Sequence, residues 1–193
     1  MRRGILVGAA VALLSSCAVT PYDRLRNFEG SEFGYVVASI GKEKSANVFD
    51  STEVLFRLRG TNDRGSFSYA PRAFLTSSGA SPQDINSTEA EGTVVAKRLP
   101  PGVYDIFVAQ AVWHAMGTRI FSRPLSPPLS FSISPGKTTY VGRFTLVQDG
   151  YGPASAAELK LTDEHVSDLA RAKSRVPSLN IEEASILQIP SRY

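Results

Sequence analysis

The stretch LSFSISPGKTTYVGRFTLV, residues 129–147, contains the pattern that decides the fold. Its first part alternates large apolar residues with serines: Leu129, Phe131 and Ile133 against Ser130, Ser132 and Ser134. Successive side chains of a strand point to opposite faces, so this period of two predicts a strand with one buried face. Pro135-Gly136 then predicts a tight turn into a second strand, because proline fixes φ and glycine accepts positive φ.

The same period of two recurs over much of the chain, as in Val54, Phe56 and Leu58. It predicts eight short strands: Phe33–Ile40, Val54–Leu58, Gly65–Leu75, Thr93–Leu99, Val103–Trp113, Thr118–Ser122, Leu129–Ile133 and Thr138–Gln148. Many short strands that share one core predict a mainly β protein, an antiparallel two-sheet β-sandwich. A small barrel is the alternative.

The segments between these strands are rich in turn residues. Asn62-Asp63-Arg64-Gly65 and Pro100-Pro101-Gly102 predict tight reversals. The segment Thr76–Glu91 contains few large apolar residues and many Ser, Asn, Asp and Pro, so we expect an exposed loop there.

One C-terminal α-helix is expected after the strands. Thr162 can cap this helix, which Asp163 and Glu164 would open and Pro177 would stop. Its apolar residues at helical spacing are Val166, Leu169, Ala170 and Val176. We expect the helix to cover an edge or an open face of the sandwich, and the sequence assigns no structure to residues 178–193.

The beginning of the chain has the order of an export signal. Arg2 and Arg3 precede an uncharged apolar run, Gly4–Leu14, which is too short to span a hydrocarbon core of about 30 Å. The run is followed at once by Leu14-Ser15-Ser16-Cys17. An ordinary secretory signal with a chance cysteine at the cleavage point is the alternative.

The tetrapeptide LSSC resembles the lipobox of bacterial lipoproteins. The resemblance implies cleavage between Ser16 and Cys17, and acyl chains on Cys17 that anchor the protein in a membrane. Residue 18 is Ala, whereas Asp at this position usually retains such lipoproteins in the inner membrane, so the outer membrane is expected. No other cysteine occurs, which excludes an internal disulfide.

Four segments follow from these patterns. They are a signal peptide (1–16), a lipidated tether (17–31), a β-sandwich domain (32–150), and a C-terminal helix and tail that pack on the sandwich (151–193). We expect Tyr22, Leu25 and Phe28 of the tether to pack onto the rim of the domain.

The charge balance argues against nucleic acid as a partner. The chain has 21 Lys and Arg against 18 Asp and Glu, and removal of Arg2 and Arg3 would bring the two counts closer. A nucleic-acid-binding domain needs a clustered basic face to neutralise phosphates, and the sequence contains no such cluster.

The phrases LPPGVYDIFVA and FSISPGKTTYVGRFTLV carry a second resemblance. They resemble a poorly characterised group of bacterial envelope lipoproteins with a carboxypeptidase regulatory-like, or transthyretin-like, β-sandwich. The resemblance covers roughly Gly92–Pro177. It implies a sandwich and no catalytic residues.

Candidate catalytic residues are scarce. The sequence has no G-x-S-x-G motif, and its only histidines are His114 and His165. Two histidines and one cysteine are too few for a typical zinc site, so we expect neither a metal nor a cofactor. Four scattered carboxylates could bind calcium: Asp50, Glu53, Asp84 and Asp149. We expect them instead to be part of the solvated surface.

Aromatic residues allow a second kind of binding site, a platform for sugar rings. The candidates are Phe67, Tyr69, Phe74, Tyr104, Phe107, Trp113, Phe121 and Tyr140. Core packing is the other interpretation of most of them.

The sequence therefore predicts a non-enzymatic lipoprotein of the outer membrane, with its domain in the periplasm. Its expected role is a binding or structural module for an envelope protein or a wall polymer, reached through an exposed strand edge. The alternative is an envelope hydrolase or transferase with a site near His114 or in the loop Thr76–Glu91.

Overall fold

A computed structural model describes residues 25–26, 28–71, 80–114, 117–150 and 156–189. In chain order its strands and helix are β1 (Gly34–Glu43), β2 (Ser51–Leu58), β3 (Arg64–Tyr69), β4 (Ile85–Asn86), β5 (Ala90–Leu99), β6 (Gly102–His114), β7 (Thr118–Ile133), β8 (Thr138–Asp149), β9 (Ala156–Thr162), α1 (His165–Arg175) and β10 (Ser185–Ile186).

The strands form two sheets. Sheet A has the order β10-β8-β1-β5-β4, with β9 also beside β8, and sheet B has the order β3-β2-β6-β7. Most pairs are antiparallel, while β1 and β10 each pair with β8 in parallel. The predicted two-sheet β-sandwich with one helix is confirmed, and the barrel alternative is wrong.

The main core lies between the sheets, where the period of two directs the apolar side chains. Large side chains from both sheets are fully buried there, among them Ile40, Phe56, Phe67, Tyr104, Ile106, Phe144 and Leu146. Leu25 of the tether is 1% exposed and belongs to this core, so it packs deeper than the rim position that was expected.

Two of the expected strands are parts of one strand, β7. The segment between them, which was not expected to be part of a strand, contains Pro124, Pro127 and Pro128. β7 is an edge strand of sheet B, and an edge tolerates residues that lack an N–H donor. The pairing of β7 with β6 shifts register within this segment, and Leu125 is buried in the core.

α1 covers the outer face of sheet A. Val37, Tyr140, Leu169, Ala172 and Leu179 form a second buried cluster between this face and the helix with its following tail. Of the two expected places for the helix, an edge or an open face of the sandwich, the structure has the open face.

Two details of the predicted helix are wrong. Val166 is 75% exposed and Ala170 is also exposed, because the buried stripe consists of Asp168, Leu169 and Ala172. Thr162 ends β9 and does not cap the helix; the Asp163 carboxylate instead accepts a hydrogen bond from the His165 backbone N–H at 3.1 Å.

Three short strands have no counterpart in the eight expected ones. β4 lies within the segment Thr76–Glu91, where Ile85 is buried, so the part of this segment that the structure describes is not simply an exposed loop. β9 and β10 both extend sheet A along β8. The reversal between β2 and β3 also lies earlier than expected, at Gly60 with φ +79°, while Gly65 belongs to β3.

Candidate functional site

A buried ionic network fixes the helix to sheet A. Asp168 is fully buried, and its carboxylate accepts hydrogen bonds from Arg143 Nη2 at 2.5 Å, Arg143 Nε at 3.3 Å and the Tyr140 hydroxyl at 2.8 Å. The Tyr140 hydroxyl also accepts the backbone N–H of Glu164, at the start of the helix. The first turn of α1 is thereby held at a defined position over β8.

The pKa values in this network follow from burial and pairing. Burial, followed by the charge of Asp168, raises the pKa of Tyr140 well above its ordinary value. Burial lowers the pKa of Arg143, but the hydrogen bond and charge of Asp168 outweigh burial and raise it. Tyr140 therefore stays protonated and Arg143 charged, so both groups are donors at neutral pH.

Beside the helix, a row of residues in register crosses five strands of sheet A: Ile85, Gly92, Gly41, Thr145 and Lys160. At the centre of the row, Gly41 and Gly92 face each other on β1 and β5. A Cβ on either glycine would overlap the backbone of the opposite strand, so no side chain can stand at these positions. The surface of the sheet is therefore depressed in the middle of the row, where the two glycines have no side chains, relative to the residues on either side.

A cleft of about 300 Å³ lies along this part of sheet A. Sheet residues line it, and the helix contributes Arg171 as well as Glu164 just before its first residue. The charged residues of its lining are Glu43, Glu89, Arg143, Lys160, Glu164 and Arg171. We call this site the polar cleft; three positive and three negative side chains surround it, with Thr145 and Thr162 as neutral hydrogen-bonding groups.

Two other clefts of similar size lack such a charged lining. The cleft between α1 and β5 has Arg175 as its charged residue, which pairs with Asp84 at 3.0 Å. The cleft at the β7–β8 hairpin has Lys137, which pairs with Glu183. Of these three clefts, the polar cleft has the most groups available for recognising a ligand.

His114 lies outside these three clefts. Its backbone N–H donates to Asp50 Oδ2 at 2.6 Å, and its Nδ1 lies 3.8 Å from the same oxygen. The Asp50 carboxylate thus lies beside His114, the histidine that the alternative hydrolase hypothesis names. His165 is half-buried and its Nδ1 lies 2.8 Å from Asp163 Oδ1 at the start of α1.

The four carboxylates considered for calcium lie apart. Asp50 contacts His114, while Asp84 accepts hydrogen bonds from the Thr93 hydroxyl and the Val94 N–H. Glu53 lies on β2 and Asp149 ends β8. Among the residues that the structure describes, no group of three or more potential metal ligands occurs.

The aromatic candidates are distributed over three environments. Phe67, Tyr69, Tyr104 and Phe121 are buried between the sheets, and Trp113 packs partly against the same core. Tyr140 lies under the helix, and Phe74 is outside the described residues. Phe107 is half-buried, with the guanidinium groups of Arg57 and Arg64 over its ring at 5.5 and 5.8 Å. Core packing thus accounts for most of the set.

The expected processing site, Ser16 and Cys17, lies outside the described residues, as does Tyr22. None of the described helices is long and apolar enough to cross a membrane.

Comparisons with known proteins identify no family. No protein-family model matches the chain, and no curated protein matches it. Among solved structures, the chain is similar to part of a leucine-rich repeat protein from Bacteroides thetaiotaomicron, with 16% identity and a TM-score of 0.34 over 76% of this chain. The match spans 16% of the length of that protein.

The residues of the polar cleft were not identified from the sequence. A signal was present for one residue of the network: Arg143 is a lone charge within the apolar part of a strand. A single charge within an apolar strand indicates a buried pair. The remaining residues converge only through the strand order of sheet A, which the sequence does not reveal.

Proposed function

We propose that this chain is a non-catalytic binding module of the bacterial cell envelope, tethered by lipid on Cys17 to the outer membrane with its sandwich in the periplasm. The lipobox-like LSSC and the preceding apolar run support the tether. Resemblance to envelope lipoproteins with a transthyretin-like sandwich supports the compartment.

The polar cleft is the binding site in this proposal. The observation that carries it is the combination of a concave, charged lining with a rigid frame, since the network around Asp168 fixes the helix beside the cleft. Ligand sites are typically concave and hold a few placed polar groups. A rigid frame lowers the entropy that is lost when a ligand binds.

A site at the long strand edge has less support. β7 is the 16-residue edge strand of sheet B, but Pro124, Pro127 and Pro128 provide no N–H groups along it. An added partner strand depends on such main-chain hydrogen bonds. We therefore assign recognition to the cleft.

The tether is tested by metabolic labelling with an alkyne fatty acid in cells that express the full chain. Cys17→Ala should abolish labelling and leave an unprocessed or mislocalised precursor. Ser16→Ala is the matched control and should be labelled normally, because alanine keeps a small residue before the cysteine. Normal labelling of Cys17→Ala would refute the anchor.

The binding site is tested by photo-crosslinking in intact cells. A photoreactive residue at Arg171, in the cleft lining, should capture a discrete envelope protein or glycan. The same residue at Val166, exposed elsewhere on α1, should not. Equal products from both positions, or none from Arg171, would count against the cleft.

His114→Ala distinguishes the binding module from the hydrolase alternative. The binding module predicts unchanged crosslinking from Arg171 and an unchanged envelope. Accumulation of an uncleaved wall or lipid species in the variant would instead favour an enzyme whose base is His114, with Asp50 beside it.

A further inference from the structure

Two exposed charges of the polar cleft, Lys160 and Glu89, lie at opposite ends of it. Lys160 lies on β9 at one end, and Glu89 lies in the β4–β5 turn at the other. Glu43 on β1 lies next to Ala90 of β5, on the side of Glu89. The cleft therefore has Lys160 at one end and Glu89 with Glu43 toward the other, while Glu164 lies on the Lys160 side, 4.0 Å from Arg143.

The charges at the two ends are free to meet a ligand. In the described part of the chain, neither the Lys160 ammonium nor the Glu89 carboxylate has a hydrogen bond or an ion pair, and both residues are exposed. Arg143, by contrast, is already bound to Asp168. Lys160 and Glu89 are the groups whose charge a ligand could neutralise without breaking a contact within the protein.

The distance between the ends sets the size of the ligand. Lys160 is in register with Gly92 of β5 across three strand spacings, roughly 14 Å, and Glu89 precedes Gly92 by roughly 10 Å along the chain, so the two backbones are roughly 17 Å apart. An extended peptide covers about 3.4 Å per residue, so a tripeptide spans roughly 10 Å. The Lys160 and Glu89 side chains would have to bridge the remaining distance of roughly 7 Å.

The balance of charges sets the chemistry of the ligand. Within the described residues, the lining charges that have neither a hydrogen bond nor an ion pair are one cation, Lys160, and one anion, Glu89, so a polyanion would be repelled at Glu89 and a polycation at Lys160. A neutral ligand would remove water from charged groups and give no opposite charge in return. A ligand with a cation at one end and an anion at the other avoids both penalties.

We infer that the polar cleft binds a short zwitterionic peptide, with the peptide carboxylate at Lys160 and its amine at Glu89, an inference that rests on the proposed function. Such peptides occur free and as the amine- and carboxylate-bearing stems of cell-wall polymers. The two sources share this chemistry.

The first test is calorimetric titration of the full chain in detergent micelles. Trialanine, with both termini free, should bind, whereas N-acetyl-trialanine and trialanine amide should each bind about tenfold or more weakly, because each has lost one charge pair. Equal affinity for all three peptides, or binding of none, would overturn the inference.

Variants assign each terminus to its residue. Lys160→Gln should bind trialanine about as weakly as trialanine amide and should no longer discriminate between these two peptides. Glu89→Gln should likewise lose discrimination against N-acetyl-trialanine. Lys137→Gln, whose ammonium pairs with Glu183 on another part of the surface, is the control and should bind as the native chain does. Retained discrimination in Lys160→Gln and Glu89→Gln would contradict the assignment.

Co-sedimentation with purified peptidoglycan sacculi separates the two sources. Sedimentation that Glu89→Gln abolishes identifies wall stems, whereas trialanine binding without sedimentation identifies free peptides. A further result separates this inference from the proposed function: persistent crosslinking from Arg171, together with equal binding of blocked and free peptides, would leave the module with a ligand of different chemistry.

Discussion

The outer faces of the two sheets carry the same pair of side chains in the same geometry. On sheet A, Arg143 donates to Asp168 from Nη2 at 2.5 Å and from Nε at 3.3 Å. On sheet B, Arg59 donates to Asp105 from the same atoms at the same two distances. The side chains of the first pair are 17% and 0% exposed, and those of the second are 56% and 10% exposed.

A hydroxyl completes each arrangement. Tyr140 donates to Asp168 at 2.8 Å, and Ser130 donates to Asp105 at 2.7 Å. The environments differ because α1 and the following tail cover the outer face of sheet A. Ile120, on β7 of sheet B, is 57% exposed. We call Arg143–Asp168 the covered pair and Arg59–Asp105 the open pair. The comparison teaches that geometry alone does not set the energy of an ion pair, since water competes for the open pair far more than for the covered pair.

The largest effect is expected when the covered pair is broken. Asp168→Ala removes the buried carboxylate that Arg143 pairs with and leaves it, of its described partners, only Ser167 Oγ at 3.2 Å and the exposed Glu164 at 4.0 Å, which should lower the free energy of unfolding by about 3 kcal/mol, measured by urea denaturation. The double variant Arg143→Met with Asp168→Leu should recover most of the loss, because no unpaired charge remains. A loss below about 1 kcal/mol in Asp168→Ala would show that water reaches Arg143 and that the two faces do not differ.

The contact between helix and sheet can be tested apart from its charges. Leu169 is 5% exposed under the helix, so Leu169→Ala should lower the free energy of unfolding by about 2–4 kcal/mol. Val166→Ala is the matched control on the opposite side of α1, and it should change stability by less than about 0.5 kcal/mol. Similar losses in both variants would mean that the helix is not seated on this stripe.

The hydroxyl groups provide a finer comparison. Tyr140→Phe removes the buried hydrogen bond to Asp168 and the one accepted from the Glu164 N–H, and it should cost about 1–2 kcal/mol in urea denaturation. Ser130→Ala on the open face should cost less, because water replaces its bond to Asp105. A larger loss of stability in Ser130→Ala than in Tyr140→Phe would mean that the hydrogen bond on the open face is the stronger one, which would contradict the comparison.

The sequence predicted the sandwich because its evidence is local. Alternation such as Leu129, Phe131 and Ile133 and a turn such as Pro135-Gly136 depend on residues near one another, and the structure confirms them, with Gly136 at φ +70°. The expected gap between Ser122 and Leu129 was wrong, because whether a strand tolerates prolines such as Pro124 depends on its place at an edge, which is a property of the whole sheet.

The polar cleft could not be predicted by the same reasoning. Its row joins Gly41 of β1 to Thr145 of β8, strands that are distant in sequence and pair in parallel. No local pattern encodes this order. Val166 was misjudged for a related reason: helical spacing identifies a stripe, but Asp168 belongs to the buried stripe only because Arg143 faces it from the sheet.

The smallest effect is expected at the open pair. The hydrogen bond from Arg59, followed by that from Ser130 and opposed by burial, holds the pKa of Asp105 below its usual range. A carboxylate with a lowered pKa in the folded state stabilises the fold above its unfolded pKa of roughly 4, and this contribution is lost as pH falls through the folded value. Asp105→Asn should therefore flatten the fall in urea midpoint below about pH 4 and change little at pH 7 in 1 M salt, because Arg59 is largely solvated. If Asp105→Asn instead destabilised the fold as much as Asp168→Ala at neutral pH, solvent exposure would not be what separates the two faces.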